Sequence, residues 1–221
     1  AAATEVGAPR RPAQPTAVMK GREPAMPALV TLQNASGVIE AMTWITRELS
    51  TARDLRSLLM AALRAAARLI PTQHASIFVT GEDDGSMVRV AQPHDELGKA
   101  IQTELDVVRI PDAKLGIVGR VISKNEPTVV QNTAADPDFN RTVDCAPGYV
   151  LNSLLCAPVS GSHGKVLAAL LLCNKHPSRP SEPGLEERPE FNALDMSALV
   201  MFAQLVAPPL ERHLESQGLM R

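Results

Sequence analysis

Two apolar runs, LLCAPV at residues 154–159 and VLAALLLC at residues 166–173, constrain this chain more than any other feature. The connector between them, SGSHGK at residues 160–165, has the Gly and Ser chemistry of a turn, so the pair reads as a β-hairpin. A strand with one wet face alternates polar and apolar residues, and these runs do not. Both strands are therefore expected inside a sheet covered on its two faces. The chain just before them, DPDFNRTVDC at residues 136–145, is polar and suits a loop with a short helix. A polar roof is thus delivered onto the middle of a sheet, which is a common way to build a small-molecule pocket.

Composition matters for what it excludes. With 221 residues, 45% of them hydrophobic, the chain has material for one core of ordinary domain size plus some flanking chain. A net charge of -2, a pI near 6.2 and no isolated Lys/Arg block invite neither nucleic acid nor an anionic membrane surface. The cysteines, Cys145, Cys156 and Cys173, form no CxxC pair, and two of them lie inside the apolar runs, where Cys serves as a small apolar filler. Neither disulfides nor a metal site is expected. No early apolar run suits a signal peptide and none reads as long enough to span a bilayer, which points to a cytoplasmic setting. Residues 1–33 carry Pro9, Pro12, Pro15, Pro24 and Pro27 among Ala, Gln and Arg, the composition of a disordered tail or linker. Because position 1 is Ala, the chain reads as a piece of something longer.

Periodicities outline one domain over residues 34–216. Val38, Ile39, Met42, Ile45 and Leu49 recur at helical spacing, with Asn34 or Ser36 as N-cap. Asp54 suits the cap of a second helix with Leu55, Leu58, Leu59, Leu63 and Leu69 on one face, closed by Pro71. Strand signals follow at 76–80, 87–91 and 107–110, then a two-glycine helix at 115–122 and a strand at 128–131. Residues 95–105 fit a helix without requiring one. After the hairpin come a Pro-rich loop, 176–190, and a closing helix with Phe191, Leu194, Ala198, Met201, Phe202 and Leu205 on its apolar side. Pro208-Pro209 is expected to break or kink that helix, because Pro209 disfavours the α conformation at Pro208. A further turn at 210–216 restarts beyond it, and 217–221 is a short extension. This order predicts an α+β domain: a six-stranded, largely antiparallel sheet, with terminal helices on one face and the short helices and lid on the other.

Four motifs occur in order: R-I-P-x-x-x-x-G-I-x-G-x-V at 109–121, D-P-x-F-x-x-x-V-D-x-x-x-G-Y at 136–149, S-L-L-C-x-P-V at 153–159, and Asn174-Lys175 followed by Phe191 and Asp195. Together they resemble the GAF domain, most of all the regulatory GAF domains of cyclic-nucleotide phosphodiesterases and related adenylyl cyclases. The last set matches the family's N-K…F-x-x-x-D-E signature, except that Met196 replaces its Glu. A Lys at a strand end and an Asp one turn into the closing helix form a structural latch, and breaking such a pair costs roughly 3–5 kcal/mol. Lys175 and Asp195 take those roles, with Phe191 in the same signature and Asn174 as a strand-end cap.

The resemblance also implies a cyclic-nucleotide pocket. Backbone N–H groups at a helix N-terminus hold a phosphate without any Arg, and by the resemblance Ile117 and Val118 bring such amides to the ligand. Ser76 matches a position facing the purine edge, while Asn140 and Asp144 match positions on the phosphate or ribose side. The same three residues also suit a strand hydroxyl, a loop cap and a helix-end charge. The family's aromatic for base stacking falls on Ala91, with Gln92 beside it where Asp is common. A stack worth roughly 1–3 kcal/mol is therefore missing. The lid threonines fall on Pro147 and Leu151, and a strand carboxylate falls on Leu171. Gln92 offers both donor and acceptor, so it does not choose between cAMP and cGMP.

Two functions follow. In the first, cAMP or cGMP enters under the lid and controls a linked catalytic domain, such as a cyclic-nucleotide phosphodiesterase, whose hydrolytic centre lies outside this chain. No HExxH or His/Asp cluster that would hold metals for that hydrolysis occurs here. In the second, the pocket is degenerate and the domain is a ligand-free interaction module, forming a homodimer through its terminal helices. A methionine sulfoxide reductase reading is set aside, because beside Cys145 in the lid the other cysteines are embedded in apolar strands that disfavour a thiolate. The chain thus carries no catalytic residue and no cofactor beyond a regulatory nucleotide.

Overall fold

The computed structural model describes residues 35–81, 85–93, 106–145, 148–176 and 189–218. The expected tail at 1–33, the stretch 95–105, Pro147, most of the Pro-rich loop 176–190, and 219–221 of the extension lie outside the described residues.

The strands are β1 (Thr72–Thr80), β2 (Met87–Pro93), β3 (Asp106–Ile110), β4 (Thr128–Val130), β5 (Leu154–Ser160) and β6 (Val166–Lys175). They form one sheet in the order β3-β2-β1-β6-β5-β4, and every neighbouring pair is antiparallel. The α+β fold with a six-stranded sheet predicted from the sequence is the one observed. β6 is buried from residue 167 to residue 174, because its side chains have cover on both faces. Leu155, Ala157, Leu170 and Leu172 point to one side of the sheet, and Leu154, Cys156, Leu171 and Cys173 to the other.

The first side is covered by α1 (Ala35–Ser50), α2 (Leu55–Leu69) and α5 (Ala193–Ser216). A capping box starts α2: Ser57 N donates to Asp54 Oδ1 at 2.7 Å, and Asp54 N donates to Ser57 Oγ at 3.1 Å. Its buried Ala61, Ala62, Ala65 and Ala66 let the backbone approach the sheet closely.

The structure corrects the expectation for the closing helix, since α5 runs from Ala193 to Ser216 with Pro208 and Pro209 inside it. An interior proline costs about 3 kcal/mol, so the pair opposes the helix strongly. Burying Val206, Leu210 and Leu214 opposes that cost with roughly 1.5–3 kcal/mol each. Pro208 itself is exposed, and so is Gln204, the residue whose carbonyl forgoes its bond to that position. Beyond the prolines, Glu211 is fastened to the β5–β6 turn: Ser162 N donates to its Oε1 at 3.0 Å and Ser162 Oγ to the same oxygen at 2.9 Å. Unbroken, α5 is long and apolar enough to cross a membrane by length and composition, contrary to the reading of the sequence. Its apolar face, from Ala198 to Leu214, is instead seated in the core of the domain.

The second side of the sheet carries α3 (Gly116–Lys124), a 3-10 turn (Thr133–Ala135) and α4 (Arg141–Asp144). α3 ends at Asn125 in the left-handed region, φ 54, where its side chain accepts from Ser160 Oγ at 2.7 Å. Together with residues 136–140, 145 and 148–149, α4 forms the roof over the β5–β6 floor. Among the described residues, the space between roof and floor is taken by apolar side chains, including the fully buried Phe78, Ile117, Leu154 and Leu171.

Candidate ligand site beneath the lid

Ser76 lies on β1 between Ala91 of β2 and Leu171 of β6, so the register puts these three candidates in one row on the lid side of the floor. Gln92 is one residue further along and pairs with Ala75, which faces the helix layer. Strand alternation therefore separates Gln92 from the row: it is buried on the opposite side of the sheet from Ser76. Leu151, 7% exposed, joins Ile117, Val118 and Leu171 in the lid-side cluster. Pro147 lies outside the described residues.

The polar candidates meet at the start of α3. Asp144, 2% exposed, accepts from Ile117 N at 3.0 Å through Oδ2 and from Val118 N at 3.2 Å through Oδ1. Asn140 N also donates to Asp144 Oδ2, at 2.9 Å, while Asn140 Oδ1 caps α4 by accepting from Thr142 N at 3.0 Å. The amides expected to face a phosphate thus hold a carboxylate of the chain itself. Gly116 makes room for it, with φ +76 and no side chain: a Cβ there would lie 2.6 Å from Asp144 Oδ1 and 2.7 Å from Oδ2. Burial pushes the Asp144 carboxyl above its ordinary value, against the three N–H donors that favour its charged form.

Sequence reasoning missed a second buried charge. Arg89, 2% exposed, pairs with Phe78 on the lid side and donates from Nη1 to Cys145 O at 2.7 Å and to Val143 O at 3.5 Å. Its position two residues before Ala91 in an alternating strand was the available signal, since equal parity means the same face. Both buried charges are answered by backbone dipoles, N–H groups for Asp144 and carbonyls for Arg89. Outside the roof, Arg120 of α3 pairs with Asp136 at 2.9 Å and Asp138 at 2.6 Å. The guanidinium holds the Asp136 carboxyl below the usual range. An open cleft of about 350 Å³ lies beside this pair, lined by Lys114, Gly116, Phe139 and Asn140 among others.

At the far end of the lid Asn174 is a hub. Its backbone is left-handed, φ 49, and its Oδ1 accepts from Asn152 N at 2.9 Å and Ser153 N at 3.2 Å. Its Nδ2 donates to Val150 O at 2.8 Å, Tyr149 Oη at 2.9 Å and Gln73 Oε1 at 3.0 Å. Burial pushes the Tyr149 hydroxyl up. Lys175 Nζ lies 2.5 Å from Asp195 Oδ2, with both side chains 13% exposed, and Asp195 also completes a capping box with Asn192 at the start of α5. Phe191 is buried, and its backbone N–H and C=O are both taken by the Gln131 side chain.

All three cysteines are buried, and burial raises each thiol above its ordinary value, which opposes a nucleophilic thiolate. Among the described residues, no group of three or more His, Cys, Asp or Glu is placed to hold a metal ion.

The GAF domain family model matches residues 54–208. Over 103 residues, 47% of this chain, the sequence is 33% identical to a probable 3',5'-cyclic phosphodiesterase pde-5 of Caenorhabditis elegans, and the match spans 12% of that protein's length. The GAF domain of a phosphoenolpyruvate-protein phosphotransferase from Coxiella burnetii superposes with a TM-score of 0.62 at 18% identity, covering 85% of this chain and 99% of that one. A free methionine-R-sulfoxide reductase from Neisseria meningitidis, solved with its substrate, gives 0.58 at 17% identity over 82% of this chain and 92% of that one. These likenesses to solved structures speak for the fold alone. Sheet order, lid and family match agree, and the chain belongs to the GAF domain family.

Proposed function

We propose that this GAF domain is a regulatory sensor of a small anionic ligand, of the 3',5'-cyclic nucleotide class, and that it controls a linked catalytic domain in a cytoplasmic protein. One observation carries the reading: an anion, the Asp144 carboxylate, is seated on the Ile117 and Val118 amides where the family resemblance puts the nucleotide phosphate. Ser76, in the row on the lid side of the floor, has a hydroxyl for a purine edge. Ala91, Leu151 and Leu171 supply no stacking ring and no polar partner, so affinity is expected to be low. The distant likeness to the nematode phosphodiesterase supports this choice of ligand class. Occupancy reaches the rest of the protein through α5, which is tied to the hairpin at Glu211 and to β6 at Asp195. Calorimetry and thermal shift with cAMP and with cGMP test the reading. Binding at 1 mM corresponds to only about 4 kcal/mol, so titrations must extend to millimolar ligand. Neither heat nor a shift there removes the nucleotide.

A second reading, a ligand-free module that pairs with another copy, is favoured by the packed space beneath the lid and by Leu194 and Met201, 57% and 41% exposed on α5. Sedimentation of wild type against a Leu194→Lys, Met201→Lys double variant tests it: a dimer that dissociates in the variant supports the module.

A further inference from the structure

α4 is four residues long, too short to hold its own conformation, so tertiary contacts decide where it lies. Its inward side is Val143, in the apolar cluster, and Asp144, whose carboxylate takes three backbone amides, two of them from α3. Arg89 grips the carbonyls of Val143 and Cys145 from below. Cys145 follows directly, 4% exposed, with its Sγ donating to Tyr149 O at 3.0 Å. We propose that the Asp144 carboxylate is the lid's own ligand: by occupying the Ile117 and Val118 amides it holds residues 140–145 shut over the sheet. An external anion reaches those amides only by displacing it.

The inference rests on the sensing reading for its consequence and deepens it. A tethered group competes at an effective concentration on the order of millimolar. The ligand must therefore carry an anion that replaces a carboxylate already in place, and its binding and release of the lid are one event. Gly116 is the positioning residue of this arrangement, since a Cβ at 2.6 Å from the carboxylate would drive it off the amides.

The test is alkylation of the native chain by N-ethylmaleimide at one pH, read by peptide mass mapping for each cysteine. Wild type is compared with Asp144→Asn, which keeps the shape of the side chain, and with Gly116→Ala, which keeps every charge. In both variants Cys145 is expected to react at least 10-fold faster, while Cys156 in β5 and Cys173 in β6 stay as slow as in wild type. The charge-preserving variant separates lid opening from an effect of Asp144 on the thiol itself. Cys145 remaining as slow as in wild type in both variants overturns the proposal, and so does equal acceleration of all three cysteines in Asp144→Asn. The contrast needs no nucleotide, so failure to bind cAMP and cGMP would remove the ligand class and leave the latch standing on its own result.

Discussion

The two faces of the sheet are held by different physics. On the helix side, Leu170, Leu172, Leu199, Phe202 and Val206 meet in an apolar layer where the contacts are non-directional. On the lid side, a smaller apolar cluster is crossed by Arg89 and Asp144, each pinned by hydrogen bonds of fixed geometry. Non-directional burial tolerates local faults, which is how α5 continues through Pro208 and Pro209. Directional pairing does not, because a buried N–H that loses its acceptor costs about 1–3 kcal/mol with nothing to replace it. The helix side is suited to be the fixed scaffold, and the lid side is the part whose position turns on single residues.

Four measurements would break or sharpen that contrast. The largest effect is expected from Phe202→Ala on the helix side, where the side chain is fully buried. It should lower stability by about 3–5 kcal/mol, seen as a lower urea midpoint with unchanged slope. Should the slope change as well, the helix layer is not part of one cooperative unit. Next, Pro208→Ala restores an N–H on an exposed helical position and should raise stability by about 2 kcal/mol, the proline cost less the entropy it removes from the unfolded chain. No gain there would mean that the helix side does not absorb the prolines at a cost.

The third measurement uses two lid carboxylates that folding shifts in opposite directions. Asp144 is raised above 3.8 when folded, so the folded state holds its proton more tightly than the unfolded chain does. Its contribution is favourable below the ordinary value and is lost as pH rises from there through its folded value. Asp136 is lowered from 3.8 by Arg120, so its contribution is present above the ordinary value and is lost as pH falls through its folded value. Thermal midpoints of Asp144→Asn against pH should therefore lack the decline that wild type shows over the first window while keeping the acid-side loss. Identical profiles would count against a buried carboxylate at the lid whose proton the folded state holds more tightly. The smallest effect is expected from Arg120→Gln, which breaks the partly exposed pairs with Asp136 and Asp138. About 0.2–1 kcal/mol should be lost, shrinking in high salt, and a larger loss would make the outer ion pairs rather than Asp144 the principal hold on the lid.

Much of the fold was legible because its signals are local. The unbroken apolar runs of β5 and β6 announced strands covered on both faces, and Asp54 announced the start of α2 through a cap that spans three residues. The candidate site was legible only as a set of positions. Parity places Ser76, Ala91 and Leu171 in one row, and the same rule, applied strictly, puts Gln92 on the other face and Arg89 on the lid side. That separation is legible in the sequence, because Gln92 directly follows Ala91 in β2 and adjacent strand residues face opposite sides.

By itself the sequence determined the element order, the hairpin, the two covered faces and the family motifs, since periodicity and turn chemistry act within a few residues of each other. Only the tertiary structure decided that Asp144 binds amides 26 and 27 residues before it, that Asn174 gathers Gln73, Tyr149 and Val150, and that α5 survives its prolines. Each of those outcomes compares a local preference with burial or hydrogen bonding supplied by distant chain, and that comparison exists only once the chain has closed on itself.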